Sequence, residues 1–81
     1  MQELLPQAEI VMERLRAEIA VVSDRLRDSE RSLEQRAWSS LLSETPVADH
    51  AYLLARREHA ELERALHNLQ AQLGRRLLEL V

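Results

Sequence analysis

"SSLLSETPVADH", residues 39–50, interrupts a chain otherwise made of helix formers. The 81 residues include two prolines and one glycine, so there are few positions at which the backbone can turn. Pro6 is close enough to the start to sit in the first turn of a helix, where its missing N–H has no partner to lose. Only Pro46 divides the chain. Thr45 can cap a helix that has Pro46 in its first position, and Asp49 brings a carboxylate into the first turn, where the helix dipole favours it. The stretch therefore reads as a helix stop followed by a helix start. The expectation is a single domain over 1–81, with a helix over 3–43, a turn at 44–45 and a helix over 46–80.

The apolar pattern on either side supports this division. In the first segment Leu5, Ala8, Met12, Leu15, Ile19, Val22, Leu26, Ser29 and Leu33 follow one another in steps of three and four. That is the spacing of a coiled-coil seam. Ala48, Tyr52, Ala55, His59, Leu62, Leu66, Leu69, Leu73, Arg76 and Leu80 form a second seam of similar length. If the chain folds back about Glu44, antiparallel partners have residue numbers summing to about 88. This register pairs Leu26 with Leu62, Val22 with Leu66, Ile19 with Leu69, Leu15 with Leu73 and Ala8 with Leu80. It also sets Ser29 opposite His59, the polar position in the middle of each seam. The fold class is all-α, an antiparallel two-helix hairpin, and the alternative is one long helix kinked at Pro46.

A chain of this length rarely buries enough apolar surface alone, so completion to a helical bundle by a partner is expected. Ile10, Val11, Ala17 and Val21 lie beside the first seam, and Leu77, Leu78 and Val81 widen the second. A second apolar face is implied, concentrated at the end that carries both termini. The candidate partner interface is Leu5, Ile10, Val11, Val21, Leu77, Leu78 and Val81. A smaller cluster, Trp38, Leu41, Leu42, Val47, Tyr52 and Leu53, is expected to close the turn end. Ser29 and His59 form a candidate polar layer, which in a coiled coil fixes register and partner at some cost in stability.

Charge and composition exclude several classes. There are 14 acidic and 11 basic residues, every basic one is Arg, and the formal net charge is -3. The signs are interspersed, which suits solvated helix flanks better than a phosphate-binding patch. Asp24 with Arg27, Asp28 with Arg31 and Glu61 with Arg64 are spaced to balance along each helix. Arg56-Arg57 and Arg75-Arg76 are the adjacent basic pairs, with Glu58, Glu61, Glu63 and Glu79 close by, and the second pair suits the negative end of a helix. An RNA- or DNA-binding regulator built as a hairpin dimer is thus disfavoured but retained as an alternative. No Cys is present, so disulfides and thiolate metal sites are excluded. The longest apolar stretch, residues 51–55, is far shorter than the about 20 residues of a membrane span. The start, MQELLPQAE, has neither the positive charge nor the apolar run of a secretory signal, so the expected location is the cytoplasm.

The three His residues and the Ser residues are the places where chemistry could reside. His59, Glu63 and His67 fall at i, i+4 and i+8 on one side of a helix, but two His and one Glu are few ligands for a closed site, and no Glu-x-x-His motif occurs. No metal or other cofactor is expected. No Gly-rich turn or strand is available to mount a nucleophile or build an oxyanion hole. A helical mutase could recruit Arg14, Arg25 and Glu63, yet these fall on flanks rather than in a convergent pocket, and no catalytic residue is assigned. The expected function is non-enzymatic: a helix-mediated protein–protein interaction module whose partner is a second copy or another helical protein.

The stretch "AYLLARREHAELERAL", residues 51–66, resembles the second helix of the small E-type chaperone subunits of type III secretion. The residues that carry the resemblance are Tyr52, Arg57-Glu58, Leu62-Glu63 and Ala65, in a stretch of about a fifth of the chain. The first helix is longer here than in that family. The resemblance implies a hairpin subunit that joins a second chaperone to hold a needle protein unpolymerised in the cytoplasm. The Pro turn is also similar to that of the needle proteins, although the closing LLELV departs from their C-terminal pattern.

Overall fold

The computed structural model describes residues 4–80, with side chains over 7–79. Two helices, α1 (Leu4–Ser43) and α2 (Pro46–Leu80), pack against each other along their length. Glu3, expected as the first helical residue, lies outside the described residues. A helix of 40 residues spans about 60 Å at 1.5 Å per residue. The hairpin is accordingly a rod of 63 × 15 × 14 Å. Its radius of gyration is 18.3 Å, where a globular chain of this length would have about 12 Å.

The turn between the helices is only two residues long, and both ends of it are capped. The N–H of Glu44 donates to the carbonyl of Ser40 at 3.1 Å, which closes α1. Glu44 itself adopts φ 49°, the left-handed conformation that commonly ends a helix. Thr45 then caps α2, because its Oγ1 accepts the N–H of Ala48 at 3.2 Å. Asp49 occupies the first turn of α2, and its Oδ1 accepts a hydrogen bond from Ser40 Oγ, tying the two helix ends together.

The seam follows the three-and-four spacing. Met12, Leu15 and Ala55 are buried, while Ile19, Val22, Leu26 and Leu33 of α1 and Leu62, Leu66, Leu69 and Leu73 of α2 are half-buried. No side chain among the described residues is fully buried. Two helices in contact cover one stripe of each, and the remaining circumference faces water. Neither of the described helices is long and apolar enough to cross a membrane.

Candidate functional site

The polar layer sits in the middle of the rod. Oγ of Ser29 on α1 lies 3.3 Å from Nδ1 of His59 on α2. The other ring nitrogen, Nε2, lies 2.8 Å from Oε1 of Glu63, one turn further along α2. With Glu63 ionised, Nε2–H donates to its carboxylate and Nδ1 accepts the Ser29 hydroxyl, so a neutral imidazole satisfies both contacts. The side chain of His59 is 16% exposed and that of Glu63 59%, so the line runs from the seam out to solvent. A shallow groove along this side is lined by Leu26, Glu30, His59, Glu63, Leu66 and His67.

Ser, His and Glu in a line invite comparison with nucleophilic catalysis. The comparison fails on the oxyanion side. Ser29 stands in the interior of α1, where the surrounding N–H groups are committed to the helix and none is free to stabilise developing charge. His67, though it lines the same groove, is exposed, and among the described residues no three His, Asp or Glu side chains gather in a metal-binding cluster. The layer links α1 to α2 through the Ser29–His59 contact.

The apolar interface candidates lie on the surface. Ile10, Val11, Val21, Leu77 and Leu78 are all exposed. The side chain of Leu5 and the whole of Val81 lie outside the described residues. At the turn end the expected closed cluster is not formed. Trp38, Leu41, Leu42, Val47 and Leu53 are exposed, the three most open being Leu41 at 70%, Leu42 at 79% and Val47 at 80%, and Leu54 is exposed beside them. Tyr52 alone of that set is half-buried, with the Arg56 guanidinium 5.9 Å from its ring centroid. The physical reason is the short turn. With α1 helical to Ser43 and only Glu44 and Thr45 before α2, the chain has no slack to fold Leu41, Leu42 or Val47 over the seam. Among the described residues, large apolar side chains are thus exposed at the turn end as well as at Ile10, Val11, Leu77 and Leu78 toward the other end.

Charged side chains occupy the flanks. Arg27 and Asp24 are 3.8 Å apart and well exposed, and Arg76 and Glu79 are 3.3 Å apart. Among the described residues the other two expected pairs, Asp28 with Arg31 and Glu61 with Arg64, do not close to ion-pair distance. The last turn of α2 holds no basic residue, so Arg75 and Arg76 lie too far back to complement its end fully.

Along one flank two grooves follow each other. The first, of about 300 Å³, is lined by Arg14, Ala17, Glu18, Val21, Val22 and Leu69, and its exposed lining is almost wholly apolar. The second is lined by Arg25, Asp28, Ser32 and Ser29 of α1 and by Glu58 and Leu62 of α2. Expectations based on the seam do not single out this flank as a unit. Its signal in the sequence is a second three-and-four stripe, 14, 18, 21, 25, 28 and 32, beside the first.

The chain matches no protein-family model, no curated protein and no solved structure.

Proposed function

We propose that this hairpin is a non-enzymatic protein–protein interaction module that completes its core with another helical chain. The observation that carries this reading is the shortage of core. Only Met12, Leu15 and Ala55 are buried among the described apolar residues. The accessible surface is 6728 Å², whereas a compact folded chain of 9.4 kDa exposes roughly 5,000 Å². The excess is spread along a rod whose exposed residues include Trp38 and ten large aliphatic side chains, more than an isolated small domain usually presents.

A partner that binds only the folded hairpin stabilises it by mass action, so stability must depend on the concentration of that partner. The test is thermal unfolding followed by circular dichroism, alone at several concentrations and with candidate helical partners. A midpoint that rises with protein or partner concentration supports the module. A high midpoint indifferent to both would overturn it.

The narrower form of this reading is an accessory chaperone subunit of type III secretion. It is supported by the hairpin fold together with the Tyr52, Arg57-Glu58, Leu62-Glu63 and Ala65 pattern on α2. In that case the face is covered by a different chain, in the cytoplasm, and co-expression with a second chaperone subunit would raise the midpoint where added copies of the hairpin would not.

A further inference from the structure

The flank that carries the two grooves has a charge order with a specific symmetry. Arg14, Glu18, Val21, Arg25 and Asp28 are spaced alternately by four and three, which places them in one stripe along α1. Read in that direction the stripe is positive, negative, apolar, positive, negative. Turned end for end about Val21 it meets its opposite: Arg14 falls against Asp28, Glu18 against Arg25, and Val21 against itself. Among the described residues none of these four charges has an ion-pair partner within the chain. The centre of the stripe is the apolar groove of Ala17, Val21, Val22 and Leu69.

We infer that this flank binds a second copy of the chain, laid antiparallel, with α1 along α1 and a two-fold axis at Val21. The inference rests on the interaction-module reading and names its partner. A two-fold contact requires a surface complementary to itself, so that if residue i meets j, then j meets i. The stripe meets that requirement in charge, with its apolar position on the axis. Helix α2 agrees. Glu58 and Arg76 lie about five helical turns apart on the same face and equally far from the level of Val21, so the reversal sets each against the other's copy. With the rods parallel instead, α1 faces α2 of the partner, and Asp28 falls level with Glu58 while Arg14 falls near Arg76. Those are like charges, and they disfavour that arrangement.

The area is also sufficient. The hairpin exposes about 1,700 Å² more than a compact chain of its mass, and a standard interface covers about 800 Å² on each partner. One copy laid along the flank accounts for a stable interface and leaves the turn-end apolar residues outside it.

The chain has no cysteine, so single cysteines report the contact directly. Val21 is exposed, as are Arg14 and Asp28, and substitution at these positions leaves the seam intact. Under mild oxidation Val21→Cys is expected to form a disulfide dimer. A mixture of Arg14→Cys and Asp28→Cys chains crosslinks, while Arg14→Cys alone does not. Glu18→Arg weakens self-association about fivefold or more by setting Arg against Arg25 twice per dimer, and adding Arg25→Glu in the same chain restores it. Light scattering on the wild-type protein separates the failures. If it is dimeric but Val21→Cys does not crosslink, or if Arg14→Cys crosslinks with itself as readily as the mixture, the proposed contact is wrong and the module reading stands. If it is a poorly helical monomer, the second copy is wrong and a different chain covers the face. A fully helical monomer at every concentration overturns both.

Discussion

Ser29 and His59, thirty residues apart in the chain, meet across the seam with Oγ and Nδ1 3.3 Å apart. The two residues stand level with each other, in the register in which antiparallel partners have residue numbers summing to about 88. A half-buried polar pair in a seam costs some stability, because its groups give up water for protein partners. Cysteines at both positions should therefore crosslink within one chain. Crosslinks found only between chains would show that the helices do not fold back on each other.

Replacing the same pair by apolar side chains removes the polar layer while keeping the seam filled. The double variant Ser29→Ala with His59→Leu should be neutral or more stable by about 1 kcal/mol in urea unfolding. His59→Leu alone should gain less, since the Ser29 hydroxyl loses its partner. A double variant that unfolds several kcal/mol more easily would mean that the layer itself stabilises the hairpin.

The turn makes a second set of expectations. Thr45→Ala leaves the Ala48 N–H without its side-chain acceptor and should lower stability by about 1 kcal/mol, while Thr45→Ser keeps the cap. Glu44→Gly acts the other way. It relieves a left-handed residue at φ 49° and should stabilise by about 0.5 to 1 kcal/mol. Paired thermal melts of the two variants, moving in opposite directions, would establish that this turn is formed.

Core and surface leucines should separate sharply. Leu15→Ala truncates one of the few buried side chains and should cost about 2 to 3 kcal/mol. Leu42→Gln, at a site 79% exposed, should change stability by less than about 0.5 kcal/mol. If Leu42→Gln proves as costly as Leu15→Ala in urea unfolding, the turn-end residues are covered in solution.

Gly74 lies within α2, and a methyl group placed on it would meet nothing within 4 Å. Gly74→Ala should accordingly raise the unfolding free energy by about 0.5 to 1 kcal/mol through helix propensity. The same substitution tests whether a partner backbone approaches this point. A gain in helicity coupled to loss of association would locate a close contact at Gly74.

How far the sequence can be read depends on range. The hairpin is legible because its determinants are local: Thr45 and Pro46 announce a helix start, and three-and-four spacing marks each seam. The register is legible because one residue, Glu44, relates the two stripes. The turn-end cluster is not, because apolar character does not reveal direction. Leu42 follows Ser40 by two helical positions, which turns it away from the seam, and a two-residue turn cannot return it. The charge stripe on α1 is hidden for a different reason. Asp28 with Arg31 looks balanced within the helix, and only the grooves on the folded rod draw Arg14, Glu18, Arg25 and Asp28 into one surface.

The proposal that another helical chain completes the core starts from three buried side chains among the described residues, Met12, Leu15 and Ala55, and solution mass tests it without any substitution. The purified protein would be followed by light scattering across a wide concentration range, with circular dichroism on the same fractions. Mass and helicity should rise together to a dimer, or a poorly helical monomer should become helical only when a partner is added. A monomer that is fully helical and stable at every concentration would show that the two helices suffice alone.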